Sequence, residues 1–260
     1  IRFLLFALNE ETIASQLVKK YISDITRINI AILYDCFDEF VLLMESSDYE
    51  LRKKALIEIC KNKNAKIKYL EFLKQLNVNF NEEDDEGWTA IHYAAWKNTS
   101  LTIIKFLCEN CKVDLSRCSY DNKNILHFAA ANDTLEVFQY IFSLGVFDIN
   151  TCDQYKWTPL HYAARFTNNI NVIKFIISKG ADVLAETIYN QIPFHLAALN
   201  TNESIILYFL KNKKLSKSKN SIDDTGDTPI CYAANINTNL QVIKYCFEFG
   251  CDYTNLNNDK

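Results

Sequence analysis

The stretch Thr158-Pro159-Leu160-His161-Tyr162-Ala163-Ala164 decides the fold, because the chain returns to it at a nearly constant interval. Its histidine has counterparts at His92, His127 and His195, so the spacings are 35, 34 and 34 residues, and Cys231 takes the fifth position 36 residues later. One variable residue and then an Ala-Ala pair follow each of these five positions. A fixed period of this length predicts a stack of similar structural repeats.

A second apolar cluster lies about eight residues beyond each Ala-Ala pair. In the third repeat it reads Val172-Ile173-Lys174-Phe175-Ile176, and the other repeats have the same spacing of apolar residues. This spacing places the apolar side chains on one face of a helix. Each repeat is therefore predicted to contain a short helix, a tight turn, a second helix and a long turn.

The predicted helix ends carry residue types that favour them. Threonine can accept a backbone N–H bond as an N-cap, and proline is well tolerated at the first helical position. The residues concerned are Thr89, Thr158, Thr228, Pro159, Pro193 and Pro229. Glycine follows the second helix in three repeats, and we expect Asn110 to replace it in the first. Glycine or asparagine recurs at the tips of the long turns, where Lys156 breaks the rule.

The string Thr158–Ala164, taken with Gly180-Ala181-Asp182-Val183, closely resembles the ankyrin repeat. The resemblance covers residues 82–251 as five repeats. It implies an all-α fold, namely an ankyrin-repeat solenoid of stacked antiparallel helix pairs with turn or β-hairpin tips. It also implies that each imidazole is structural, bonding to the capping residue and the adjacent turns.

The remaining segments fit the period less well. Residues 45–81 are predicted to form a degenerate repeat, with Tyr69-Leu70-x-Phe72-Leu73 in its second helix and Asn77 in the left-handed position after it. Residues 1–44 are predicted to be a helical segment, either a cap or another degenerate repeat, with one very apolar helix over 28–44. Residues 252–260 resemble the start of a further repeat that is cut short.

Composition excludes several classes of protein. The 260 residues carry a net charge of -4, which argues against a nucleic-acid binder. No apolar run reaches the roughly 18 residues that a membrane span needs. The nine cysteines are an odd number without a disulfide framework, which favours reduced thiols. We therefore expect an intracellular, cytoplasmic and monomeric protein.

The sequence predicts no catalytic residue, cofactor or metal. It has no glycine-rich phosphate loop and no Gly-x-Ser-x-Gly motif, and every histidine lies at a repeat position. Cys108, Cys111 and Cys118 offer only one close pair where zinc needs four ligands, so we predict separate thiols, with a redox pair of Cys108 and Cys111 as the alternative. Residues 211–220 hold five lysines; a solvated loop is predicted, and a localisation signal or acidic-partner site is the alternative.

Aromatic residues recur at two positions in the repeat. The position after the histidine holds Tyr93, Phe128 and Tyr162, and the turn tips hold Trp88, Tyr120, Tyr155, Trp157 and Tyr189. In ankyrin-like stacks the tips and first helices form the concave face that usually binds partners, and Tyr and Trp dominate interface energetics. We predict a protein–protein interaction module, a non-catalytic scaffold or adaptor that binds an unidentified protein there. The alternatives are that some rings pack between repeats, or that this region is the regulatory or spacer part of a larger protein whose catalytic domain lies outside it.

Overall fold

The computed structural model describes residues 23–97 and 100–252. The chain forms two compact units, unit 1 up to Leu115 and unit 2 from Ser116 onward, and each is described by itself. Predictions made for residues 1–22 and 253–260 lie outside the described residues.

The described part of unit 1 contains three helix pairs. They are α1 (Asp24–Leu33) with α2 (Phe37–Glu45), α3 (Tyr49–Lys61) with α4 (Ile67–Gln75), and α5 (Ala90–Lys97) with α6 (Leu101–Asn110). The first helices α1, α3 and α5 pack side by side in that order, and the second helices α2, α4 and α6 do the same. Asn77 has a φ of 56°, the left-handed conformation that the sequence predicts for it.

The prediction of one helix over residues 28–44 is wrong, because α1 and α2 are separated by a turn at Tyr34–Cys36. Asp35 adopts a φ of 56° there. Its carboxylate accepts bonds from Lys66 Nζ at 2.5 Å and Lys68 Nζ at 2.7 Å. These two bonds hold the pKa of Asp35 down at about 2. The turn contains no glycine or proline, so the apolar sequence on both sides of it resembles that of one continuous helix.

In unit 2 the described residues, 116–252, form four helix pairs. They are α7 (Ile125–Ala130) with α8 (Leu135–Ser143), α9 (Pro159–Phe166) with α10 (Ile170–Ser178), α11 (Pro193–Ala198) with α12 (Glu203–Lys211), and α13 (Pro229–Ile236) with α14 (Leu240–Glu248). A short 3-10 turn, Ser216–Ser218, follows α12. First helices again pack on first helices and second on second. The predicted all-α repeat fold is confirmed, and the tips are turns, since the described residues include no β-strand.

The buried positions follow the repeat. The Ala163–Ala164 pair is fully buried, so neighbouring first helices can approach closely. Val172, Ile173 and Ile176 are also fully buried on one face of α10. Burying each such aliphatic side chain contributes about 1.5–3 kcal/mol, so packing between repeats is the main source of stability.

Left-handed residues mark the turns, with one correction. Lys156 has a φ of 59°, although the equivalent tip residues are glycine or asparagine. After α6 the left-handed residue is Lys112, with a φ of 51°, and the prediction for Asn110 is wrong. The reason is that α6 starts one residue later in its repeat than α8 and has 10 residues, one more than α8, so Asn110 is its last helical residue.

Buried asparagines join consecutive repeats at the tight turns. Asn200 Nδ2 donates to the carbonyl oxygens of Ala164 at 3.1 Å and Thr167 at 2.9 Å, in the preceding repeat. Asn237 Nδ2 donates in the same way to Ala198 at 2.7 Å and to Asn200 at 2.9 Å. One amide group therefore satisfies two backbone carbonyls that would otherwise be buried without a donor.

Candidate partner-binding surface

The histidines form a bonding network inside the repeats. His161 Nδ1 lies 3.0 Å from the backbone nitrogen of Thr158 and 2.9 Å from its Oγ1. A backbone N–H can only donate, so Nδ1 must be unprotonated. The proton is therefore on Nε2, which donates to the carbonyl oxygen of Gln191 at 3.2 Å in the next repeat.

The same arrangement recurs at the other histidines. Nδ1 accepts from the backbone N–H of Thr89 for His92, of Asn124 for His127 and of Ile192 for His195. Burial lowers the pKa of His127 and of His161 to about 4. At neutral pH these imidazoles are uncharged and bonded on both nitrogens, so neither can serve as a general base for a substrate.

Two residues before the first helices bond reciprocally with the histidine three positions later. Thr158 forms a capping box with His161, as Asn124 does with His127, and Asn124 Oδ1 also accepts the backbone N–H of Leu126 at 2.9 Å. Thr228 makes no side-chain cap bond, so the capping prediction is wrong for that residue. Where Cys231 replaces the histidine, Thr228 Oγ1 donates to the carbonyl of Asp252 at 3.1 Å.

Each tip is held by the side chain that lies eight residues before the histidine position. Asp153 Oδ1 accepts the backbone N–H groups of Tyr155 and Trp157, both at 2.8 Å. Its other oxygen, Oδ2, accepts the hydroxyl of Tyr162 at 2.7 Å. Asp84 with Tyr93 and Asp223 with Tyr232 make the same pair.

The residue after the histidine depends on this tip residue. Ser119 and Thr187 occupy the tip position in the other two repeats, and their single oxygen is used by backbone N–H groups. With no second oxygen available, a tyrosine hydroxyl would lack an acceptor, and these repeats carry Phe128 and Leu196 instead. Sequence reasoning missed the role of Asp84, Asp153 and Asp223, although their recurrence eight residues before the histidine position was visible.

These pairings reduce the exposure of the aromatic residues that follow the histidine, which the sequence predicts as partner-binding residues. Tyr93 and Phe128 are buried, and Tyr162 is half-buried with its hydroxyl bonded. Trp88 and Trp157 are half-buried and pack on Tyr93 and Tyr162, with ring centroids 5.1 and 5.2 Å apart. The rings of Tyr93 and Phe128 are used for packing and are not available as a partner surface.

The remaining predicted residues are exposed on the tips of unit 2. The exposed fractions of Tyr120, Tyr155 and Tyr189 are 69%, 41% and 50%. Neighbouring tips are joined by backbone bonds, from Gln154 to Asp121 and from Ile188 to the carbonyl of Tyr155, both at 3.0 Å. We call Tyr120, Tyr155, Ile188 and Tyr189 the tip stripe; Ile188 is 44% exposed. These side chains are presented by turns that hydrogen bonds hold in place.

The potential metal ligands and thiols of the described residues bear on whether chemistry can occur at this surface. Among the described residues no group of three or more His, Cys, Asp and Glu is placed to bind a metal ion. Burial raises the pKa of the Cys111 thiol to about 11, so it is protonated at neutral pH and a poor redox partner for Cys108. None of the described helices has both the length and the apolar character to cross a membrane.

Helix pairs stacked through a recurring bonding network define a helical repeat protein. A family model described as ankyrin repeats matches residues 28–117 and 97–187, which together exceed half of the chain. The chain therefore belongs to the ankyrin repeat family, whose repeats are protein-interaction modules and typically non-catalytic.

The proteins to which this chain is similar include an enzyme, an ion channel and a putative ankyrin repeat protein. A palmitoyltransferase from Lachancea kluyveri is 27% identical over 157 residues, which is 58% of this chain and 21% of the enzyme. The human transient receptor potential cation channel subfamily A member 1 is 27% identical over 137 residues, 52% of this chain and 12% of the channel. A putative ankyrin repeat protein of Acanthamoeba polyphaga mimivirus is 28% identical over 198 residues, 67% of this chain and 61% of its own length. The chain spans about a fifth or less of the first two relatives.

Proposed function

We propose that this region is a non-catalytic adaptor that binds a protein partner through the tip stripe of unit 2. The observation that carries the proposal is the exposure of Tyr120, Tyr155 and Tyr189 on consecutive tips. Tyrosine offers a large ring and a hydroxyl with little conformational freedom to lose, which suits it to interface hot spots. The bonds between the tips reduce the ordering that binding would require.

The test is a capture experiment with matched variants of the full chain. Tyr120, Tyr155 and Tyr189 are changed to serine in one variant; Tyr34, Leu240 and Phe247 are changed to serine in the control, which removes comparably exposed apolar side chains elsewhere. Proteins retained from a lysate of the source cells are quantified by mass spectrometry. We expect one partner to be retained by the wild type and the control and lost by the tip variant.

Equal retention by both variants would refute the tip stripe as the binding surface. Circular dichroism must first show that both variants keep the wild-type helix content. We also propose that the protein is monomeric and intracellular. Sedimentation of the purified chain would test the oligomeric state, and imaging of the tagged protein would test the location.

The alternative function is a regulatory arm of a larger protein with a catalytic domain elsewhere. The small share of the palmitoyltransferase and the cation channel that the chain matches favours this alternative. The size of the native protein, detected in its cells with an antibody against this region, decides between the two. A native protein close to the 30.1 kDa of this chain would leave no room for such a domain.

A further inference from the structure

A group of exposed lysines follows helix α12 and has no part in the tip stripe. The lysines are Lys211, Lys213, Lys214 and Lys217. Among the described residues none of these four has a carboxylate within ion-pair distance, in contrast to Lys123, which pairs with Asp121. Lys219 has another role, because its Nζ donates to the carbonyl of Phe249 at 2.5 Å.

The segment that carries these lysines has a defined structure. Asn212 Oδ1 accepts the backbone N–H groups of Lys214 at 3.0 Å and Leu215 at 3.4 Å. The Leu215 side chain is buried, and Ser218 Oγ donates to the Leu215 carbonyl at 2.8 Å. The inward residues anchor the turn while the lysines remain exposed, so the positive charges are displayed from a fixed base. We call Lys211, Lys213, Lys214 and Lys217 the lysine platform.

The surrounding charges indicate the size of a suitable ligand. Lys179 lies one repeat earlier at the position equivalent to Lys213, 18 residues after the histidine, and is also exposed. Exposed carboxylates lie in the turns and helix ends of the neighbouring repeats, namely Asp182, Glu186, Asp224 and Glu248. A broad anionic surface such as a bilayer or a nucleic-acid duplex would meet these carboxylates as well as the lysines and be repelled. A narrow, extended segment can contact the lysines alone.

We infer that the lysine platform is a second docking site, which takes a short acidic segment of a protein partner. Lysine ammonium groups act as point charges toward carboxylates and need no fixed bidentate geometry. Exposed ion pairs are individually weak and are screened by salt, so the binding is weak and falls steeply as ionic strength rises. The site is independent of the tip stripe.

The test uses the full chain and a fluorescent peptide of glutamate alternating with serine, with a glutamine-for-glutamate version as the uncharged probe. Binding is measured by fluorescence anisotropy at about 0.15 M salt, where the screening length is about 8 Å. The triple variant K213E/K214E/K217E is compared with K54E/K63E/K156E, which makes the same change in net charge at exposed lysines elsewhere. K213Q/K214Q/K217Q serves if the reversed variant does not fold.

We expect the wild type to bind the glutamate peptide and not the glutamine peptide. The platform variant should bind at least about tenfold more weakly, whereas the control should stay within about twofold of the wild type. An equal loss in both variants would show that net charge alone attracts the peptide and would overturn the proposal. Tighter binding to phosphatidylserine vesicles or to RNA than to the peptide would overturn it as well.

Discussion

Lowering the pH from 7 to 5 should destabilise unit 2, because His127 and His161 are buried as neutral imidazoles. Each Nδ1 accepts a backbone N–H bond, at 3.1 Å for His127 and 3.0 Å for His161, so a proton cannot be added there without breaking that bond. Burial lowers both pKa values from 6.5 to about 4. In the unfolded chain the same imidazoles take up a proton below about pH 6.5.

The direction and the size of the change in unfolding free energy follow from the difference between the pKa values of the folded and unfolded chain. A group with a lowered pKa that gains charge on protonation stabilises the fold fully above 6.5, and that contribution is lost as the pH falls from 6.5 toward 4. At pH 5 the loss is about 2 kcal/mol for each imidazole, or about 4 kcal/mol for the two. That is a large fraction of the roughly 5–15 kcal/mol by which domains are stable. Asp121 and Asp223 do not offset it, because their lowered pKa values keep them ionised at pH 5.

The assay is urea unfolding at pH 7 and pH 5, followed by circular dichroism at fixed ionic strength. The variant His161→Gln cannot take up the proton and should lose about 2 kcal/mol less between the two pH values than the wild type does. Since long repeat arrays can unfold in steps, proton NMR of the folded chain gives a direct check of each imidazole. The reasoning is refuted if His161 titrates near pH 6.5 in the folded protein, or if the variant and the wild type lose the same free energy.

Three further substitutions, each measured by urea unfolding, test the turns. Lys156→Gly should stabilise the protein by about 1 kcal/mol, because glycine adopts a positive φ without strain; a loss of stability would contradict this. Asn200→Ala should destabilise the protein by about 2–3 kcal/mol, because it leaves two buried carbonyls without a donor. As a control, the substitution Asn168→Ala at an exposed position should have an effect below about 1 kcal/mol. Equal effects of the two substitutions would contradict the bridging role of Asn200. Phe128→Tyr should destabilise the protein by about 1–3 kcal/mol, because the new tyrosine hydroxyl lacks an acceptor. Adding Ser119→Asp should restore at least about 1 kcal/mol. No coupling between the two substitutions would contradict the pairing of a tip aspartate with a tyrosine.

The sequence predicts the repeats well because the same two physical requirements recur in each. A first helix needs small residues where its neighbours approach, and a turn tip needs a residue that tolerates a positive φ. Those needs appear as Ala163–Ala164, Gly87 and Asn122 at fixed intervals. The break at Asp35 cannot be predicted in this way, since Lys66 and Lys68 at the start of α4 stabilise it and no local sequence signal accompanies it.

The candidate surface was harder to predict than the fold. Periodicity shows which residues are equivalent, but it does not show which equivalent positions touch across a turn. Tyr93 and Tyr155 therefore look alike in the sequence as aromatic surface residues, although Asp84 binds the first, which is buried, and the second is 41% exposed. Reading the aspartate and the tyrosine nine residues later as one pair would have separated them. The roles of the tip stripe and the lysine platform stay predictions.

The buried asparagine bridges also expose the protein to chemical ageing. Hydrolysis of the Asn200 amide would replace its two N–H donors with a carboxylate oxygen. That oxygen would face the carbonyl oxygens of Ala164 and Thr167, where attraction would turn into repulsion. A change of one mass unit at a buried residue would thus weaken the contact between two repeats. Molecules that have lost this amide would therefore be less stable at the turns between repeats.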